Sequence, residues 1–220
     1  MSKIYIVGTP IGNLQDITLR AMETLKKVDV ILAETPKTTL KMLSHFNIRK
    51  PIFQFFQNPT EKQVKEVLKV LKQEKDIAVV SEAGTPGVSD PGNKLIDEVL
   101  KRMQVEIVPI PGVSAVTMAI SVSGVNAQKF AFLGFVPKTK KNKFWKEVSD
   151  FNGAVLFFES TYRIKKTLKE IKEKIENKTK IIVFREMTKI FEEIIRTDFE
   201  NLEEDIKEMK EKGEFTILVV

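Results

Sequence analysis

The chain has 220 residues, 42% hydrophobic and 30% charged, a net charge of +6, one histidine and no cysteine. That is ordinary composition for a globular protein with a real core, in one large domain or two small ones. Disulfides, thiolate nucleophiles and cysteine-held metals are excluded, and the surplus of positive charge hints at an anionic partner, although lysine- and glutamate-rich helices raise gross charge without one.

Taken in chain order, Ile4–Val7 reads as a short buried strand, followed by GTPIGN. A helix is expected from about Asp16, with Asp16 as its N-cap and Leu19, Met22 and Leu25 as its apolar face. Val28–Ala33 is a second strand and Thr38–Phe46 a helix that ends beside His45, which reads as a surface or capping residue. Val64, Val67, Leu68 and Leu71 form a helical stripe over Gln63–Gln73, leading into a strand at Ile77–Val80. A helix at Asn93–Met103 and a strand at Val105–Ile110 complete a β-α-β-α alternation, which argues for a largely parallel sheet with helices on both faces. Beyond Gly112 the character changes. A small-residue helix runs from Val113 to Ser123, then strands are expected at Phe130–Phe135, Ala154–Phe158, Lys180–Phe184, Glu193–Arg196 and Phe215–Val220. Amphipathic helices are expected at Thr161–Ile175 and Glu200–Lys212. The fold class expected is therefore α/β, with two α/β domains at 1–112 and 113–220. No apolar stretch nears the ~20 residues that span a bilayer, and no signal peptide precedes the first strand, so no membrane association and a cytoplasmic location are expected.

The most informative segment is Ser81–Gly92, SEAGTPGVSDPG, with three glycines and two prolines in twelve residues directly after a buried strand. Glycine admits positive φ and a close ligand, and in an open α/β sheet ligands sit beyond the carboxyl ends of the strands. The plainer reading is a strand-to-helix connection, with Asp90-Pro91-Gly92 as ordinary turn chemistry. GTPIGN is not a dinucleotide fingerprint, because its spacing is G-x-x-x-G, and it is not a P-loop, because no Gly-Lys-Ser/Thr follows.

GTPIGNLQDITLRA, SEAGTPGVSDPG, PIPGVSA, GFVPK, FFES…R and REMTK, in that order along the whole chain, resemble the tetrapyrrole-methylase superfamily. Within it, the chain is most similar to the family that methylates a cytidine ribose 2′-oxygen of small-subunit ribosomal RNA. The resemblance implies S-adenosyl-L-methionine as cofactor, bound in a cleft between two domains, ribosomal RNA or the small subunit as partner, and a homodimer. It also implies that Pro10, Gly84, Thr85, Pro86, Val88, Ser114 and Ala115 border the cofactor. Phe158, Glu186, Met187, Phe215 and Thr216 occupy positions of the adenine-side wall.

A ribose hydroxyl is a weak acid, so a nearby carboxylate or lysine would help remove its proton. Glu34, at the tip of the second strand, and Glu82, in the central loop, are the catalytic candidates. Lys37, Arg163, Arg185 and Lys189 are candidate clamps for phosphate or carboxylate, with structural ion pairs as the competing reading. The segment Lys138–Lys146 holds five lysines, Lys140 and Lys141 among them, interleaved with Phe144 and Trp145. That mixture suits an RNA backbone with splayed bases, or else a solvated loop entering a helix anchored by Trp145. No metal-ligand cluster is visible, and methyl transfer from a sulfonium needs none.

The sequence departs from the family pattern on the presumed substrate side. Glu34-Thr35-Pro36-Lys37 stands where an acidic-Asp-Thr-Arg signature is usual, and Phe55-Phe56-Gln57-Asn58 keeps only the Asn of a His-Glu-His-Asn-like stretch. Glu82 replaces Asp, and Ser160-Thr161-Tyr162-Arg163 stands for Ser-Pro-His-Arg. Two alternatives stay open at this point: a corrin or porphyrin methyltransferase, and a non-catalytic cofactor- or RNA-binding relative.

Overall fold

A computed structural model of the chain describes residues 2–90, 92–175 and 177–220, so Pro91 of the central loop lies outside the described residues. The chain forms two compact units, the first closing at Ser114 and the second running Ala115–Val220.

The first unit is built on five parallel strands, β1 (Lys3–Val7), β2 (Val30–Ala33), β3 (Ile52–Gln54), β4 (Ile77–Val80) and β5 (Glu106–Ile110). Their order is β3-β2-β4-β1-β5. β2 and β4 are buried at every position, which is why they read as unbroken apolar runs rather than as alternation. Helices α1 (Leu19–Lys27) and α2 (Pro36–His45) carry the chain from β1 out to the β3 edge. Helices α3 (Glu61–Lys72) and α4 (Asn93–Leu100) bring it back across to β5. Right-handed crossovers taken in opposite directions put the two pairs on opposite faces. Accordingly Ala21, Leu25 and Leu43 pack on Tyr5, Val7 and Ile31. On the other face Val64, Val67, Leu95 and Val99 pack on Ile4, Leu32 and Val79. The winding reverses between the neighbouring strands β4 and β1, which makes their carboxyl ends the topological switch point.

Local details differ from the sequence expectations. Asp16 does not cap α1; it closes a short 3-10 turn, Leu14–Asp16, whose cap is Asn13. Thr18 is the N-cap instead, its hydroxyl accepting from the Ala21 N–H at 3.1 Å. Leu19 is 74% exposed, because it lies two residues, about 200° of helix, from Ala21 on the buried face. β3 was not expected: it is three residues long at a sheet edge, with Phe53 and Gln54 exposed, and leaves no periodic trace. α4 ends at Leu100, and turn bonds from Arg102 and Met103 to the Val99 carbonyl complete the segment.

The second unit holds α5 (Ala115–Ser123), β6 (Phe130–Phe135), α6 (Lys141–Asp150), β7 (Ala154–Ser160) and α7 (Ile164–Lys174). It continues with β8 (Ile181–Arg185), β9 (Glu193–Thr197), α8 (Leu202–Asp205) and β10 (Glu214–Val219). The sheet order is β6-β7-β10-β8-β9, with only the β6–β7 pair parallel. One face, with Phe157, Val183, Phe215 and Ile217, carries α6 and α7 through Phe144, Trp145, Leu168 and Ile171. The other, with Leu156, Phe184 and Leu218, carries Val116 and Ala119 of α5. The helix expected at Glu200–Lys212 shortens to α8. Leu202, Ile206 and Met209 keep helical spacing and stay buried, but Lys207 and Met209 bond back three residues rather than four, so the segment continues as turns. No helix among the described residues is long and apolar enough to cross a membrane.

Candidate active site

Five loops leave the carboxyl edge of the first sheet, one after each parallel strand, and backbone contacts lock those after β1, β4 and β5 together. Thr9, after β1, and Gly84, after β4, form an isolated antiparallel bridge, Thr9 N–H to Gly84 O at 2.8 Å and Gly84 N–H to Thr9 O at 3.0 Å. The buried hydroxyls of Thr9 and Ser81 also donate to the Gly84 carbonyl, at 3.3 and 3.0 Å. Gly8 and Gly112 meet so closely that a Cβ on Gly8 would lie 2.7 Å from the Gly112 backbone, which joins the ends of β1 and β5. Gly84 has φ +81, and a Cβ there would stand 3.4 Å from Ile11 and 3.6 Å from the Val113 carbonyl. This cradle is made of backbone and small apolar groups. Pro10, Gly84 and Pro86 are buried in it, Thr85, Ser114 and Ala115 are partly buried, and Val88 is exposed.

The acidic groups lie in the loops after β2 and β4. The Thr35 hydroxyl donates to Glu82, tying these two loops to each other. Gln54 donates to the Glu34 carbonyl at 3.0 Å, which holds the β2 loop against β3. Burial and then the neighbouring Glu82 raise the Glu34 carboxyl above its usual range. Asp90 is pushed further, up to about 6, by its own burial and then by Glu34 and Glu82. So Glu34 and Glu82, both expected from sequence, are brought to one place, and Asp90 joins them. The sequence reading missed Asp90 because Asp-Pro-Gly is also ordinary turn chemistry; its signal was an acid at the far end of a loop too long for a plain connection. Lys37 is exposed in the first turn of α2.

In the second unit, Phe158 lies edge-on to Phe132 and Phe135 at centroid distances of 4.7 and 5.4 Å, and it shares the α5 face of the sheet with Met187. Thr216 is its cross-strand partner. Phe215 belongs to the opposite face and is 2% exposed in the core under α6 and α7, so its side chain is not part of any wall with Phe158. Glu186 receives Lys189 Nζ at 2.9 Å and the Glu214 N–H at 2.9 Å. Burial alone would raise its carboxyl, but those two bonds outweigh it and hold the pKa below the usual value.

Three proposed clamps are occupied within their own unit. Arg163 spends its guanidinium on Glu159 at 2.6 Å, the Val136 carbonyl at 2.9 Å and Ser160 Oγ at 3.2 Å. Arg185, 6% exposed, donates to the carbonyls of Lys212 and Phe191 at 2.8 and 3.0 Å. Lys189 bridges Glu186 and Glu214. All three are thus engaged by groups of their own unit, as the competing ion-pair reading expects. Likewise Phe144 and Trp145 are 8% and 3% exposed, stacked edge-on in the core, and Lys141 is held by Glu170 at 2.8 Å. Of its five lysines, Lys138, Lys140, Lys143 and Lys146 are exposed.

Residues 3–203 match the family model described as Tetrapyrrole (Corrin/Porphyrin) Methylases. A protein of Thermotoga maritima named ribosomal RNA small subunit methyltransferase I is 41% identical over 220 residues, covering 100% of this chain and 98% of that protein. One of the same name from Haemophilus influenzae is 38% identical over 221 residues, covering 98% of this chain and 77% of that protein. Among solved structures, a cobalt precorrin-4 methyltransferase superposes with a TM-score of 0.69 at 21% identity, over 99% of this chain and 94% of the other. Uroporphyrin-III C-methyltransferase from Thermus thermophilus, complexed with S-adenosyl homocysteine, gives 0.64 at 16%, over 99% and 92%.

Proposed function

The chain belongs to the tetrapyrrole (corrin/porphyrin) methylase family, and from that premise we propose that it is an S-adenosyl-L-methionine-dependent methyltransferase acting on a cytidine ribose 2′-oxygen of small-subunit ribosomal RNA. The observation that carries the substrate class is similarity over the full chain, at 41% identity, to a protein named for ribosomal RNA methylation. The solved corrin and porphyrin methyltransferases it resembles are only 16–21% identical, a likeness of fold alone. The cradle fits the cofactor. A zwitterionic amino acid moiety is held well by loop backbone and hydroxyl groups, and the missing Cβ of Gly84, whose own N–H and C=O are spent on Thr9 and Ser81, lets a ligand approach this loop closely. Pro10, Thr85, Pro86, Val88, Ser114 and Ala115 would complete that contact in the first-unit loops and just beyond them. Phe158, Met187 and Thr216 offer an apolar sheet face suited to an adenine.

The cofactor supplies an already activated methyl group, so the protein's work is approach geometry and one proton. Asp90 is the group that takes the proton from the ribose hydroxyl. With a pKa of about 6 it is ionised at neutral pH yet far more basic than an ordinary aspartate. Glu34 and Glu82 act through Asp90, holding its basicity up by like charge, and Thr35 fixes Glu82. RNA phosphates fall to the exposed lysines, Lys37 and Lys140 among them.

We also infer a cytoplasmic homodimer. The uncharged helix α5, with Met118 and Val122 exposed, supports such pairing.

The test is transfer of radiolabelled methyl from the cofactor to small subunits lacking the modification. Label in one cytidine ribose is the expected outcome, with Asp90→Asn lowering kcat by about 10²–10⁴-fold. Cofactor binding without label on RNA would favour a tetrapyrrole substrate or a non-catalytic relative.

A further inference from the structure

A cavity of about 330 Å³ opens between the first turns of α3 and α4, lined by Asn58, Val64 and Lys94 together with the carboxylates of Glu61, Asp97 and Glu98. It sits at the carboxyl edge of the sheet, because α3 follows the loop after β3 and α4 follows the loop after β4. Its size is at the small end of the range for ligand pockets. The carboxylates are already matched by cations. Arg102 forks onto Glu61 at 2.7 and 2.9 Å and reaches Glu98 at 2.8 Å, and Lys101 holds Asp97 at 2.5 Å. Lys94 is different. Its ammonium donates to the neutral side-chain amide of Asn58, and no carboxylate among the described residues pairs with it. Of the four charged side chains that line the cavity, Lys94 is the one that no opposite charge among the described residues matches, and it stands beside an amide that both donates and accepts.

Lys94 lies four positions along the chain from Asp90, so their backbones are no more than about 14 Å apart. At ~3.4 Å of rise per nucleotide, a strand whose target ribose meets Asp90 can reach Lys94 within about four nucleotides. We propose that this cavity is a subsite for a nucleotide flanking the methylated one, with its phosphate on Lys94 and its base edge against Asn58. The proposal rests on the ribosomal RNA reading of the active site. The shared ligand chemistry is a phosphate, and the source assigned is the RNA backbone rather than a free phosphate compound.

The experiment compares wild-type protein, Lys94→Gln and Lys27→Gln in RNA binding across a salt series and in methyl transfer to small subunits. Lys27 ends α1 at the opposite, amino edge of the sheet and is exposed, so its replacement removes the same charge away from the cavity. Lys94→Gln should weaken RNA binding, reduce the slope of log K against log salt by about 0.7 and raise KM for the subunit, while cofactor affinity stays at the wild-type value. Lys27→Gln should leave slope and KM unchanged. Equal slopes for wild type and Lys94→Gln, with the wild type active, overturn the subsite and leave the methyltransferase reading standing. A wild type that neither binds nor methylates RNA overturns both. Saturable binding of inorganic phosphate that Lys94→Gln abolishes, with RNA binding intact, also overturns the assignment, replacing RNA by a free phosphate.

Discussion

At the scale of single residues, Asp90 combines a cost to the fold with the role proposed for it in the reaction. Its folded pKa of about 6 lies above the unfolded value of ~3.9, so the native protein binds more protons than the unfolded chain between those two pH values. Stability from this group is complete below pH ~4 and is lost as pH rises through about 6. At pH 7.5 the ionised carboxylate opposes folding, and Asp90→Asn should stabilise the protein by roughly 1–2 kcal/mol once solvent screening is allowed for. Denaturant titration of both proteins at pH 7.5 checks this, and a less stable Asn variant would show that Asp90 is not strained by its neighbours. The same pKa fixes the rate profile: kcat/KM in the wild type should fall about tenfold per pH unit below about 6, as the base is protonated. The chain's local pattern did not reveal Asp90, since the two carboxylates that perturb it come from positions 34 and 82 and meet it only in the folded sheet edge. Phe144 and Trp145 illustrate the opposite limit. Interleaving with lysines suggests an RNA-facing surface, yet with Val148 they form a buried stripe along α6 while Lys143 and Lys146 point to water. Composition is shared by the two cases; helical phase distinguishes them.

Among elements, the junction of β1 and β5 is the most exacting. Val7 pairs with Ile110, Gly8 N–H reaches the Ile110 carbonyl at 3.0 Å, and the chain then crosses Gly112 with almost no clearance. The atoms that a Gly8 Cβ would strike are backbone, so no side chain can swing away. Gly8→Ala should therefore cost roughly 1–3 kcal/mol, as an overpacked core site does, and should displace the cradle on the β1 side. Thermal unfolding and cofactor titration together read both effects; unchanged affinity with a lowered Tm would place the cradle elsewhere. The elements themselves were largely legible. Buried strands announce themselves as apolar runs, and α3 as an i, i+3, i+4, i+7 stripe closed by the Thr60–Gln63 capping box. What escaped was set by tertiary contact. β3 exists because Ile31 N–H finds the Pro51 carbonyl and Phe55 N–H the Ala33 carbonyl, not because three residues prefer a strand. The segment after Asn201 carries a helical apolar pattern, but beyond α8 it continues in three-residue turns while Leu202, Ile206 and Met209 stay buried on the sheet face.

For the molecule as a whole, the surplus of six positive charges is modest, since 36 basic residues stand against 30 acidic ones. Much of that charge is consumed internally. Arg102, Arg163, Arg185, Lys101, Lys141 and Lys189 each sit within 4 Å of a carboxylate, which leaves exposed lysines such as Lys37, Lys94, Lys138, Lys140 and Lys143 as the cations available to a polyanion. If about four to six of them neutralise phosphates on a single strand, log K for RNA should fall with log salt at a slope near −3 to −4. Between 50 and 200 mM salt that is a loss of roughly two orders of magnitude in affinity. The cradle proposed for the cofactor is made of backbone and small apolar groups, so the cofactor's dissociation constant should change little over the same range. Parallel titrations of RNA and cofactor across the salt series decide the matter. A steep slope for RNA with a flat response for the cofactor is the signature of a phosphate-tracking surface attached to an uncharged cradle. A flat response for both would mean that shape and base contacts, rather than the free lysines, hold the substrate, and would move the search for the RNA path to exposed aromatic groups such as Phe56, Tyr162 and Phe191.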